Sequence, residues 1–202
     1  MNIRQKAQNF ATKAHANAGQ LRKFTGEPYI VHPAAVVELL QAIDPSDEMI
    51  AAAWLHDVVE DTDVTLMDIQ NEFGTVVAQY VEMLTDIQTR SFGGERIHRK
   101  NANLLHTAQA CSEAQSIKLC DLIDNASMVV ERDPTFARQY LLEMKRLLTV
   151  LTKGDPILHQ RASHIYERGI SLLCLQQGSE QWFKRSWEEY EAHLPIKSVI
   201  SA

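Results

Sequence analysis

The sequence predicts an all-α fold, on three observations. Apolar residues recur at i, i+3 and i+4 along most of the chain. Runs of Val and Ile long enough to build a sheet are scarce. Glycine and proline are few, at 8 and 6 of 202 residues. A chain of this length can bury one core without staples, so a single domain over 1–202 is expected. With 45% apolar and 23% charged residues it is an ordinary globular sequence, with no repeat and no low-complexity stretch.

The elements follow in order. Ala7, Phe10, Ala11, Ala14 and Ala18 lie on the stripe of a first helix, which Gly19 stops. Leu21 to Pro33 holds Gly26, Pro28 and Pro33 and reads as a loop. Pro33 suits the first turn of a helix running to about Ile43, which sets His32 at its mouth. Asp44-Pro45-Ser46-Asp47 is a turn with a capping residue. Met49 to Asp61 then reads as one apolar, alanine-rich helix ending in acid.

Thr65 to Phe73 is a short helix that Gly74 stops, and Val76, Val77, Tyr80, Val81 and Leu84 mark another. Thr85 to Lys100 changes character. It holds Gly93-Gly94 with Arg90, Arg96, Arg99 and Lys100, and reads as a basic loop leading into a further helix. Gln115 to Glu131 carries the stripe Ile117, Leu119, Leu122, Ile123, Ala126 and Val130. Asp133-Pro134 restarts a helix through Leu151, and Gly154-Asp155-Pro156 breaks it. Ile157 to Leu175 and Glu180 to His193 close the chain before a loose tail from Pro195. About eight to ten helices are expected.

A net charge of −6 speaks against a broadly basic nucleic-acid-binding surface. Cys111, Cys120 and Cys174 are odd in number and lack a CxxC spacing, so a disulfide framework or a thiolate zinc site is not expected. The first ten residues are polar where a signal peptide would be apolar. No apolar run approaches the ~18 residues of a membrane helix. A cytoplasmic protein with reduced thiols and no membrane partner is expected.

Chemistry concentrates in His56-Asp57-Val58-Val59-Glu60-Asp61. On a continuous helix, His56 would sit above Glu60 and Asp57 above Asp61. Four hydrophilic groups in an apolar helix need a partner, and a divalent cation suits an imidazole beside a carboxylate. The bland alternative is a solvated acidic helix end. Further candidate ligands are His32, in its proline-bounded loop, and Asp121 in an otherwise apolar helix. Lys118, Asp121 and Asn125 share a helical face, and Asp124 on the flank is the rival ligand by spacing alone. The other six histidines have no partner spacing and read as structural or exposed.

The order His32, His56-Asp57, Asp121 resembles the H…HD…D set of the HD-domain phosphohydrolases. Thr25-Gly26-Glu27-Pro28-Tyr29-Ile30-Val31-His32-Pro33, His56 to Thr62, Phe73-Gly74 and Lys118-Leu119-Cys120-Asp121 resemble the hydrolase domain of RelA/SpoT proteins, above all the small stand-alone alarmone hydrolases. The resemblance spans about Phe10 to Leu151; the helices over about 156–193 carry no such motif. It implies an HD-domain helical bundle with additional C-terminal helices, and a hydrolase without synthetase or regulatory domains. It also implies a nucleotide substrate, Mn²⁺ as the ion with Zn²⁺ or Fe²⁺ left open by the residues, and removal of the 3′-pyrophosphate of ppGpp or pppGpp to leave GDP or GTP.

A carboxylate near such a site can orient or deprotonate water and manage the leaving-group proton. Glu60 takes the main acid/base role here and Asp61 partners it. A polyanionic substrate needs cations on the facing wall. In the family, basic residues at the positions of Arg22 and Lys23 face the nucleotide, as does the residue matching Asn125. Lys118 either contacts phosphate or pairs with a ligand carboxylate. Arg90, Arg96, Arg99 and Lys100 form either a lid or a plain basic loop. Two positions depart from the family pattern: Leu122 stands where a basic residue is common, and Asp124 where an aromatic or imidazole is. Other nucleotides (an adenine alarmone, NADPH, a nucleoside monophosphate) therefore stay open as substrates, and a non-catalytic metal-stabilised helical module is the reading from a different class.

Overall fold

Met49–Leu55 is an unbroken apolar run, and in the computed structural model of the chain it becomes the central helix, with every one of these side chains buried. The structure describes residues 2–89, 91, 93–177 and 181–194. Ala51, Ala52 and Ala53 are fully buried, so neighbouring helices can approach this helix closely.

In chain order the helices are α1 (Ile3–Asn17), α2 (Val31–Leu40), α3 (Asp47–Leu55), α4 (Val58–Asp61), α5 (Leu66–Phe73) and α6 (Thr75–Leu84). They continue as α7 (Arg96–Gln109), α8 (Ser112–Arg132), α9 (Pro134–Val150), α10 (Pro156–Gln177) and α11 (Gln181–Ala192). Helices α1, α2, α6 and α8 pack around α3, and α10 packs on α8 and α9. One buried apolar cluster runs from Ala7 to Leu173, so α10 shares the core of the motif-bearing part. Among the described residues no helix is long and apolar enough to cross a membrane.

The starts of the helices follow from their caps. The Ser46 hydroxyl accepts from the Met49 amide, and Thr65 forms a reciprocal capping box with Asp68. Asp133 accepts from the Phe136 amide, with Pro134 in the first turn of α9.

Helix α8 carries twelve buried residues. Leu119, Ile117, Leu122 and Ile123 each contribute about 1.5–3 kcal/mol by leaving water. Its register is pinned by the turn after α9. The buried Gln115 Oε1 accepts from the amides of Lys153 (2.8 Å) and Gly154 (3.1 Å). A Cβ on Gly154 would lie 2.7 Å from Leu119 Cδ1, so glycine permits this approach.

Two expectations are corrected. The helix over Met49–Asp61 is not continuous: His56 and Asp57 form a turn between α3 and α4. Here the His56 ring takes the Ala53 carbonyl (Nδ1 to O, 2.8 Å), the acceptor that a continuing helix would give to the Asp57 amide. Helix α2 starts at Val31, which sets Pro33 in its first turn as expected, among the amides that need no helical acceptor. The basic segment is a loop only to Glu95; Arg96, Arg99 and Lys100 already belong to α7. Arg90, the start of the last helix at Glu180 and the tail from Pro195 lie outside the described residues.

Candidate active site

His32 is the second residue of α2. The hairpin-like loop before it closes through Arg22 N to Glu27 O (2.9 Å) and Tyr29 N to Gln20 O (3.1 Å), around a positive φ at Gly26 that favours glycine. His56 and Asp57 occupy the break after α3, and Asp121 lies mid-way along α8. These three far-separated segments meet. His32 Nε2 is 3.2 Å from His56 Nε2, 3.5 Å from Asp57 Oδ2 and 3.2 Å from Asp121 Oδ1. His56 Nε2 is 3.1 Å from Asp57 Oδ2 and 4.0 Å from Asp121 Oδ1. Among the described residues, His32, His56 and Asp57 offer ligand atoms that all lie within 4.8 Å of one another.

The tautomers fix what this cluster lacks. His56 Nδ1 must carry hydrogen, because its partner is a carbonyl. His32 Nδ1 lies 2.6 Å from Asp124 Oδ2 and donates to that carboxylate. In the neutral rings both Nε2 atoms are therefore lone pairs, and they face two carboxylate oxygens. Four acceptors around one centre require a proton or a cation among them. Burial alone would lower the His32 pKa, but the bonds to Asp121 and Asp124 raise it to about 9. His56 moves up likewise, its burial outweighed by Asp57. Burial would raise Asp57 and Asp121, yet His56 holds the first below the usual carboxylate range, and Lys118 with His32 holds the second there. Two imidazoles and two carboxylates with no thiolate suit a divalent ion of the middle first row.

Hydrogen bonds behind the cluster hold it in place. The Tyr29 hydroxyl donates to Asp57 Oδ2 at 2.5 Å, and the Asn125 amide donates to Asp121 Oδ1 at 2.5 Å. Lys118 Nζ pairs with Asp121 Oδ2 at 2.8 Å. Burial would lower the Lys118 pKa, but Asp121 and Asp86 raise it, so it stays charged.

Glu60 and Asp61 stand beside the cluster, in the same cleft of about 450 Å³. Glu60 Oε2 accepts from the Asp86 amide at 3.2 Å. Desolvation, then the like charges of Asp86 and Asp57, push its carboxyl up to about 7. Glu60 keeps an exposed face in the cleft. Asp61 also moves up, through desolvation and Asp57, while a bond from Gln20 Nε2 (2.6 Å) restrains it. Gln20 in turn accepts from the buried His15 Nδ1 at 2.7 Å.

Arg22, Lys23, Lys118 and Asn125 all line the cleft, as do Arg96 and Lys100. Most of these are already partnered. Arg22 bonds Asp124 (2.8 Å) and Asn125 Oδ1 (3.0 Å). Lys23 pairs with Asp133 and lies over the rings of Phe24 and Phe136. Lys100 pairs with Asp86 at 2.8 Å. Arg96 grips both oxygens of Glu143 at 2.8 Å, and the Tyr190 hydroxyl adds a third bond to Glu143 at 2.7 Å. Helix α11 thereby braces the cation wall, a role that no motif indicated.

The structure brings His32, His56, Asp57, Asp121, Glu60, Asp61, Arg22, Lys23, Lys118 and Asn125 to one cleft, whereas Arg99 bonds the carbonyls of Gly93 and Gly94 away from it. Lys118 pairs with the carboxylate of Asp121, one of the two roles the sequence leaves open for it. Asp124, the rival ligand by spacing, faces His32 Nδ1, on the far side of the ring from the cluster. Sequence reasoning missed the roles of Tyr29, Gln20 and Glu143. Tyr29 lies in a quoted motif, and Glu143 is a carboxylate in the apolar run of α9, so each left a trace.

The HD domain family matches residues 7–147 of this chain. A guanosine-3′,5′-bis(diphosphate) 3′-pyrophosphohydrolase of Danio rerio, MESH1, is 34% identical over 81% of the chain and 93% of its own length. A probable enzyme of the same name from Synechocystis is 35% identical over 70% of the chain, but the chain spans only 19% of that protein. It likewise spans 17% and 12% of the relatives from Aquifex aeolicus and Vibrio cholerae. A solved structure described as a metazoan ortholog of SpoT that hydrolyses ppGpp superposes with a TM-score of 0.73 at 27% identity, covering 83% of this chain and 96% of the other. On the family match across most of its length, and on a relative covered almost end to end, this chain belongs to the HD-domain family.

Proposed function

We propose that this chain hydrolyses the 3′-pyrophosphate of ppGpp or pppGpp, leaving GDP or GTP, with Mn²⁺ held by His32, His56, Asp57 and Asp121. The observation that carries this reading is the all-acceptor cluster of those four residues opening into a cleft that also holds Glu60. The printed activity of the Danio rerio relative, which the chain covers almost completely, supports the nucleotide and the bond. Bound at the cluster, the ion would polarise a phosphoryl oxygen and make water more acidic.

The chain's own residues do the rest. Glu60, poised near neutrality, takes a proton from the attacking water and returns one to the leaving oxygen. The water oxygen joins the 3′-linked phosphorus, the bond from that phosphorus to the 3′ oxygen breaks, and the 3′ oxygen leaves as a hydroxyl. Asp61, fixed by Gln20, partners Glu60. Arg22, Lys23, Lys118 and Asn125 take the phosphates and sugar, and the rings of Phe24 and Phe136 give the base an apolar wall. A nucleotide is the only partner this chemistry requires, with no nucleic-acid polymer and no membrane. The cytoplasm, where cysteines stay reduced, is the compartment it implies.

One feature favours a second substrate within the same chemistry: Leu122 lines the cleft with an apolar side chain where relatives commonly carry a base. The deciding experiment is a panel of ppGpp, an adenine alarmone, NADPH and a nucleoside monophosphate, assayed with Mn²⁺ against wild type and Asp57→Ala. Wild type is expected to convert ppGpp to GDP and pyrophosphate, and Asp57→Ala to convert nothing. A manganese-loaded wild type that leaves ppGpp intact discards the proposal.

A further inference from the structure

We propose that Asp124 is a positioning residue for the metal centre, and that through it the cationic wall of the cleft supports ion binding. The inference rests on the metal site just proposed and goes beyond it. One oxygen of Asp124, Oδ2, accepts both from His32 Nδ1 (2.6 Å) and from Arg22 Nη2 (2.8 Å). The Asp124 side chain is 19% exposed and that of Arg22 21%, so water screens the pair less than it would on an open surface.

Asp124 bonds the ring nitrogen that faces away from the cluster, while His32 Nε2 faces Asp57 and Asp121. A carboxylate on Nδ1–H selects the tautomer with its lone pair on Nε2, fixes the ring's orientation and makes Nε2 a better donor to a cation.

Arg22 extends the arrangement. Its other nitrogen, Nη1, donates to Asn125 Oδ1 (3.0 Å), and Asn125 donates to Asp121 Oδ1 (2.5 Å). His32 and Asp121 are thus joined behind the centre through Asp124, Arg22 and Asn125. A side chain on the nucleotide wall that never reaches the cluster helps to hold two of its members in place. The competing explanation is a staple between α8 and the loop before α2, with no bearing on the ion. A staple would change stability alone.

The test uses the full chain stripped of metal with a chelator. Mn²⁺ is titrated in, free ion is read by electron paramagnetic resonance, and the visible spectrum of bound Co²⁺ reports the ligand field. Asp124→Ala is expected to weaken Mn²⁺ binding about 10–100-fold and to alter the Co²⁺ spectrum. Asp124→Asn keeps an acceptor for both partners but loses the charge, and should weaken binding about fivefold. It carries the test if the alanine variant fails to fold. Arg22→Gln should weaken Mn²⁺ by a smaller factor, about threefold. Variants that melt earlier yet bind Mn²⁺ as wild type does, with an unchanged Co²⁺ spectrum, overturn the inference and leave the metal centre standing. A wild type that binds no Mn²⁺ overturns both.

Discussion

On the His32–Asp121 side of the cleft every inward-facing atom of the cluster is an acceptor, while on the α7–α9 side Arg96 and Lys100 already hold Glu143 and Asp86. The first region is electrostatically incomplete. In the neutral rings the hydrogens point backward, to Ala53 and Asp124, and a proton or a cation must fill the front. The second region is complete without a ligand. A phosphate can recruit its cations only by competing with carboxylates that are already in place, which a multiply charged ligand does better than a singly charged one. On the proposed function, ion binding and nucleotide binding would obey different rules in one cleft: the ion would answer a deficit, and the nucleotide would win an exchange.

The largest effects should come from breaking the first region. Asp57→Ala removes a cluster oxygen and the acceptor of Tyr29, and should abolish Mn²⁺ binding and lower turnover by at least about a thousandfold. Equilibrium dialysis with a product assay checks both. Retained metal and turnover would mean that the cluster is misread.

Next in size is Glu60→Gln, expected to lower kcat by about 10²–10⁴ with metal content unchanged. Its pH signature follows from the raised pKa. Below about 7 the carboxyl is protonated and cannot accept the water's proton, so wild-type kcat should rise as pH passes through that value. The rise should vanish in the glutamine variant, and a rise that survives there would remove Glu60 from the role. Stability runs the other way. The fold favours the neutral carboxyl, so Glu60's contribution is present at low pH and fades as pH climbs from the unfolded value of about 4.5 toward 7.

A smaller effect is expected from Tyr29→Phe, which leaves the ligands intact but removes the 2.5 Å donor to Asp57. Mn²⁺ affinity should fall about tenfold, and kcat at saturating metal should fall much less. The smallest change belongs to the second region. Tyr190→Phe loses one of three bonds to Glu143 while Arg96 keeps its two. KM should rise about two- to threefold with Mn²⁺ affinity unchanged, at a stability cost of about 1 kcal/mol by urea unfolding. A large loss of metal affinity in this variant would show that the two regions are not separable.

Much of this was legible in the sequence. The 3.6-residue period, with the capping turn before Met49 and the helix starts at Thr65 and Asp133-Pro134, located most of these helices within a few residues. The motifs around His32, His56-Asp57 and Asp121 marked the cluster before any coordinates. The break at His56-Asp57 was not legible, because no glycine or proline causes it. At the break the His56 ring bonds the Ala53 carbonyl, and helix propensity carries no record of such a bond. The role of Asp124 was half legible: spacing put it on the flank of α8, but only geometry says which ring nitrogen it meets. The Arg96–Glu143 pair spans 47 residues and leaves no local pattern to read.

The most direct test of the central claim is an anomalous-difference map from crystals of the full chain grown with Mn²⁺. The account predicts one strong peak bounded by His32 Nε2, His56 Nε2 and the carboxylates of Asp57 and Asp121, at about 2.0–2.3 Å from each. A manganese peak elsewhere, or density at the cluster that the two histidines do not touch, would contradict it.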